Sequence, residues 1–123
     1  MLREIIDNIL VLFLIQPLVE YFGHRTLHMV RSQVHYNHHI VKYKNYIPSR
    51  IPYFIGLAGF CVLPSWYIFW VAICKYQLIH TAIHHTDAFP DLRDHHELHH
   101  KYPSYNFGFS AIWPDKLFNT LKK

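Results

Sequence analysis

Ten of the chain's 12 histidines write one pattern twice, and that repeat constrains the fold more than any other feature. His24-x-x-x-His28 is followed by His35-x-x-His38-His39. Far downstream, His80-x-x-x-His84 is followed by His96-x-x-His99-His100. An expression tag would be contiguous and terminal, and this pattern is neither. Residues four apart share a helix face. His24 with His28, and His80 with His84, can therefore each grip an ion from one side. In each triplet the first and last histidines share a face and the middle one sits beside them. Neutral imidazole is a common metal ligand, and ten nitrogen donors are too many for one ion and suit two. His85 and His95 fall outside the repeat, each about 100° round a helix from its neighbour. They read either as supports behind the ligands or as incidental.

Composition bounds the setting. The chain has 123 residues, 51% hydrophobic and 16% charged, which suits one domain over 1–123 and excludes both disorder and a large two-domain enzyme. Cys61 and Cys74 sit in an apolar run and read as free thiols. The formal charge is +4, but the basic residues are scattered singly and no nucleic-acid motif accompanies them, so nucleic acid is not expected as a partner.

The apolar residues fall before and between the histidine clusters. Residues 5–22 read as an apolar helix interrupted by Asp7, Asn8, Gln16 and Glu20, with Pro17 predicted to kink it. Eighteen residues reach roughly 27 Å, close to a bilayer core of about 30 Å. Ile51 to Cys74 carries no charge and is split by Pro64-Ser65. If His39 and His80 serve one site, the chain must leave and return on the same side. That predicts a membrane hairpin with arms at about 51–63 and 65–85. Gly56 and Gly59 either allow close helix contact or lend flexibility. Arg25, Arg31, Lys42, Lys44 and Arg50 lie on the histidine side, whereas the hairpin tip has no basic residue. The positive-inside rule then puts the histidines at the cytoplasmic face. The fold expected is an all-α membrane protein: one N-terminal apolar helix, a membrane hairpin, and cytoplasmic histidine-bearing helices around a dinuclear metal site.

Local signals place the histidines on helices. Ser32 can cap a helix through His35 to Val41, stopped by Pro48. Pro90 suits a helix start, Asp91 and Asp94 favour its positive end, and Pro103 closes it. Glu20 lies one turn before His24. It either orients a ligand or is a carboxylate at the membrane interface. Tyr76, one turn before His80, reads as packing. Phe54, Trp66, Phe69, Trp70 and Phe107 are candidate walls of an apolar route to the ions; the tryptophans also suit an interfacial belt.

These residues resemble the fatty acid hydroxylase/sterol desaturase superfamily of membrane-bound, histidine-rich di-iron oxygenases. The resemblance runs through His24-Arg25-Thr26-Leu27-His28, His35-Tyr36-Asn37-His38-His39, His80 to His84 and His95-His96-Glu97-Leu98-His99-His100. It continues in Asn106-Phe107-Gly108, similar to the family's Asn-aromatic-Gly. It ends in Trp113, Asp115, Leu117, Phe118 and Thr120, similar to its closing Trp-Asp-x-Leu-Phe-Gly-Thr. Two positions depart from that ending: Pro114 is inserted after Trp113, and Asn119 stands where the family has glycine.

The resemblance implies two iron ions, with zinc able to substitute, held by His24, His28, His35, His38, His39, His80, His84, His96, His99 and His100. Catalysis would run through those ions, with Glu20, His85, His95 and Asn106 as candidates for the supporting layer. It further implies oxygen insertion into, or desaturation of, a fatty acyl chain or sterol. Oxygen would come from O2 and electrons from cytochrome b5 or a reductase. The setting would be the endoplasmic reticulum membrane if the source is eukaryotic.

Two rival functions remain at this stage. Family members usually carry further membrane helices upstream, so the chain could be a truncated, catalytically impaired relative that still binds metal. His96-Glu97-Leu98-His99-His100 also satisfies the His-Glu-x-x-His zinc protease signature, but that reading leaves at least eight patterned histidines idle. Three apolar arms on a short chain also invite homo-oligomers.

Overall fold

The computed structural model describes residues 1–41, 55, 58 and 66–123, and every regular element among them is helical. α1 (Leu2–Leu10), one π-helical turn (Val11–Ile15) and α2 (Gln16–Met29) form a rod spanning Leu2–Met29. Its 28 residues make it about 42 Å long at 1.5 Å each. By length and composition it can cross a membrane. α3 (Gln33–Val41), α4 (Tyr67–His85), α5 (Pro90–Lys101) and the short α6 (Trp113–Leu117) follow.

The all-helical expectation holds. The stretch expected as a hairpin's second arm, 65–85, is helical over Tyr67–His85 as α4. The expected first arm, 51–63, lies outside the described residues save for Ile55 and Ala58, and so do Pro48, Phe54, Gly56, Gly59, Cys61 and Pro64. Cys74 is a free thiol.

Pro17 appears as a widened turn rather than an end. The Gln16 N–H bonds the Val11 carbonyl, five residues back. Proline has no N–H, so neither residue 16 nor residue 17 can serve the Leu12 carbonyl. The Lys75 ammonium takes that place, donating to the Leu12 oxygen at 2.6 Å. A π turn beside a proline is a known way for a helix to absorb it.

The polar residues that interrupt the apolar rod join it to α4. Asn8 donates to the Tyr67 hydroxyl at 2.8 Å, and Gln16 donates to the Ala72 carbonyl at 2.8 Å. Ionisable and amide side chains in an apolar helix pair are expected to face each other. The order of these contacts shows that the two helices run in the same direction. Tyr67 begins α4 at the level of Asn8, and both helices end among the histidines.

Burial is inverted relative to a water-soluble protein. Among the described residues the buried apolar side chains are Tyr21, Ile83, Phe107 and Phe109. Six of the ten patterned histidines are buried, together with Gln16, Gln77, His95, Asn106 and Asp115. Ile5, Ile9, Leu10, Phe13, Leu14 and Val19 of the rod lie outside and exposed. An exposed apolar belt of this length suits an acyl-chain environment.

Short connections aim the histidine helices. Arg31 takes a left-handed φ of 50° at the turn after α2, and Ser32 Oγ lies 3.5 Å from the His35 N–H, capping α3 as expected. Pro90 opens α5, where its missing N–H costs nothing, and Asp91 sits in the first turn. Pro114 likewise stands in the first turn of α6, and Asn119 adopts a φ of 55°. Asparagine tolerates that left-handed conformation better than most residues, so it can replace the family's glycine there.

Candidate metal centre

The ten patterned imidazoles converge from α2, α3, α4 and α5 into two sets. The ligand nitrogens of His24, His28, His35, His39 and His99 all lie within 4.8 Å of one another. Those of His38, His84, His96 and His100 do the same, and His80 joins them with its Nε2 3.2 Å from that of His84. The early and late clusters, far apart in sequence, thus meet.

The sets are built by exchange. Set one takes the first pair, the outer members of the first triplet (His35 and His39) and the middle member of the second (His99). Set two takes the second pair, the outer members of the second triplet (His96 and His100) and the middle member of the first (His38). Helix geometry brings outer members together and points the middle one across to the other set. The sequence repeat is therefore also a structural repeat.

The donor spacing fits a divalent ion. Four Nε2 atoms close a ring, with edges His28–His35 2.8 Å, His35–His39 3.1 Å, His39–His99 3.2 Å and His99–His28 3.0 Å. His24 Nε2 lies 2.9 Å from His35 Nε2. Imidazole nitrogens about 2.1 Å from a shared ion, the length seen for zinc, stand about 3 Å apart at right angles. In set two, His84–His96 and His96–His100 are separated by 3.1 and 3.0 Å.

Electrostatics keeps these rings in their ligating form. Burial, reinforced by neighbouring imidazoles, pushes His35 and His39 down to about 3. It pushes His99 down to about 2, partly offset by a backbone hydrogen bond to Tyr105. His38 and His96 are lowered for the same first reason. Neutral imidazole is the form that binds metal.

Two ligand candidates have fixed tautomers. His24 Nδ1 donates to the Phe107 carbonyl at 2.8 Å and His99 Nδ1 to the Tyr105 carbonyl at 2.6 Å. Each bond occupies Nδ1–H and leaves the Nε2 lone pair for an ion. Rings complete the enclosure. Phe109 stacks on His24 with centroids 4.3 Å apart and meets His80 and His96 at 5.0 and 5.1 Å. Tyr76 stacks on His80 at 5.6 Å.

The four residues proposed as supports have different placements. Glu20 does not hold a histidine; its carboxylate accepts from Gln16 at 2.6 Å and from the Ser110 N–H and hydroxyl at 3.1 and 2.6 Å. It ties α2 to the loop that carries Phe107 and Phe109. Asn106, with φ 57°, donates to the His95 and Lys122 carbonyls at 3.2 and 3.0 Å and accepts from the Lys122 N–H at 2.6 Å. His95 is buried, with Nε2 3.0 Å from Asp115 Oδ2. His85 is exposed.

Asp115 itself, fully buried, was not singled out by spacing; its place in the closing motif was its one sequence signal. The carbonyls of Tyr105 and Phe107 are backbone groups and leave no such signal.

Openings border the centre or lie close to it. A cleft of about 400 Å³ between the rod and α4 is walled by Val11, Ile15, Val19, Ile68, Phe69 and Ile73 and reaches Tyr76. A space of about 550 Å³ borders His39, His84 and His100, with Glu97 and Lys101 as its other described lining residues. A third, of about 490 Å³, borders His28, His35 and His39 beside Leu27, Arg31 and Pro103. Phe107 packs against Tyr21, His24 and His28 rather than lining the cleft.

Comparison with curated proteins and with solved structures returned no match. The model of the fatty acid hydroxylase family matches residues 9–120. That stretch contains every histidine of both sets, and the chain belongs to this family of oxygen-dependent hydroxylases and desaturases.

Proposed function

We propose that the protein is a membrane-bound non-haem di-iron oxygenase that hydroxylates a lipid, a fatty acyl chain or a sterol, with O2 and external electrons. The observation that carries this reading is the interleaving of early and late histidines into one set of five and one of four, with His80 beside the second, at nitrogen spacings near 3 Å. His24, His28, His35, His39 and His99 would hold one iron; His38, His80, His84, His96 and His100 would hold the other. All-imidazole sites suit iron and also accept zinc. Bound there, the pair would supply the O2-activating chemistry that an unactivated C–H bond needs.

The chain's own residues supply the rest. The carbonyls of Tyr105 and Phe107 keep the Nδ1 protons of His99 and His24. Phe109 and Tyr76 cover the imidazoles on the side toward the rod and exclude water there. The apolar cleft ending at Tyr76 gives a hydrocarbon chain a route out of the bilayer. Glu97 and Lys101 border a separate opening beside His39, His84 and His100; with the histidines at the cytoplasmic face, cytochrome b5 or a reductase would deliver electrons there.

Lipid mass spectrometry of cells expressing wild type beside His99→Ala tests the reading. A new oxygenated lipid present only with wild type is expected. Identical lipid profiles, with the wild-type protein folded and iron-loaded, would contradict it.

A further inference from the structure

We infer that Asp115 is a positioning residue for the first histidine set, acting on His24 through a single peptide group. This rests on the metal-centre reading above and adds a residue to it. The Asp115 carboxylate is fully buried and accepts four hydrogen bonds. Oδ1 takes the Phe107 N–H at 2.8 Å and the Thr120 hydroxyl at 2.7 Å; Oδ2 takes the Gly108 N–H at 2.7 Å and His95 Nε2–H at 3.0 Å.

The Gly108 N–H and the Phe107 C=O belong to one planar peptide unit. Asp115 grips its nitrogen edge, and His24 Nδ1–H donates to its oxygen edge at 2.8 Å. The arrangement is a carboxylate–peptide–imidazole relay. A carboxylate hydrogen-bonded to an imidazole ligand orients it and raises its basicity; here a polarised amide stands between them.

The surroundings are built for this contact. A Cβ on Gly108 would collide with the Ala111 carbonyl and lie 2.9 Å from Asp115 Oδ2, so only glycine admits the carboxylate this close. The Tyr105 carbonyl, which holds His99, is fixed on the same frame. The next N–H, that of Asn106, bonds the Thr120 carbonyl at 2.9 Å, and the Thr120 N–H bonds the Asp115 carbonyl at 2.9 Å. A chain of donors runs from Arg25 through the Tyr21 hydroxyl (3.2 Å) and on to Thr120 Oγ1 (3.0 Å), and so to Asp115. Both histidines tied to this frame belong to set one.

Two measurements on detergent-solubilised full-length protein test the inference. Zinc titration of the metal-free protein should show two tight ions in wild type. In Asp115→Asn, the side chain keeps its shape but cannot accept from Gly108 N–H and Phe107 N–H at once. One ion should weaken about ten- to a hundredfold, the range for losing a partner behind a ligand, while the other stays tight. Unchanged affinity for both ions in folded Asp115→Asn overturns the inference, as does equal weakening of both. The second measurement is the histidine nitrogen NMR of metal-free wild type, which needs neither the variant nor a bound ion. His24 should be the Nδ1–H tautomer with a hydrogen-bonded ring proton. An Nε2–H tautomer overturns the relay even if Asp115→Asn fails to fold. A wild type that binds no zinc but shows the Nδ1–H tautomer would instead refute the metal-centre reading and leave the relay standing.

Discussion

The two histidine sets have the same construction in sequence, a pair plus a triplet, yet their surroundings differ. Set one is braced by backbone: loop carbonyls hold His24 and His99, and buried Asp115 holds the loop. At set two, Tyr76 stacks on His80, and Phe109, which also stacks on His24 of set one, meets His80 edge-on and His96 at a tilt. Tyr76 is also a wall of the apolar cleft between the rod and α4. The difference teaches that one sequence repeat can be backed in two ways: loop carbonyls hold two imidazoles of one set, and a stacked tyrosine covers an imidazole of the other.

The comparison breaks most visibly at the exchanged histidines. His99→Ala should empty set one although His99 lies in the second triplet, and His38→Ala should empty set two. Each should cost at least about a hundredfold in turnover, more than the tenfold-to-hundredfold loss typical of supporting residues. Product formation in membranes checks this.

Acid should act next. His35 and His39 resist protonation in the folded protein down to about 3, whereas in the unfolded chain a histidine takes a proton near 6.5. The unfolded state therefore binds more protons across that window, and stability falls as pH drops from about 6.5 toward 3, levelling below it. Thermal unfolding of the metal-free protein against pH should show that slope; a flat profile would contradict the burial of these rings.

Lys75→Met sharpens the contrast between the centre and the rod. It leaves the Leu12 carbonyl without its donor and should cost about 1–3 kcal/mol of stability, with both ions retained. Unfolding in detergent with parallel metal analysis separates the two effects. Glu97→Gln should do least. Glu97 borders the opening beside His39, His84 and His100 and is exposed, so metal content should stay unchanged, whereas a zinc protease would lose its base and all peptidase activity.

Much of the site was legible in the sequence because helix geometry is local. Four-residue spacing alone brings His24 beside His28, and Ser32 and Pro90 mark where the helices of the two triplets begin. The crossing of His38 and His99 was not legible, since it depends on how α3 and α5 pack against each other. Asn8 and Gln16 read as interruptions of an apolar helix because their partners, Tyr67 and the carbonyl of Ala72, are 59 and 56 residues away; Lys75, which serves the Leu12 carbonyl, gave no signal at all. Glu20 sits one turn from His24 as its spacing indicates, yet it reaches Ser110, 90 residues on. His95 and His85 looked alike in the pattern, but one faces Asp115 inside and the other faces out.

Iron analysis of anaerobically purified double variants tests the interleaved centre most directly. His35→Ala with His99→Ala removes two donors from the same set and should leave one ion of the two. His38→Ala with His99→Ala removes one donor from each set and should leave neither tightly bound. If the two double variants retain the same iron, or if folded wild type holds none, the account of two interleaved sets is wrong.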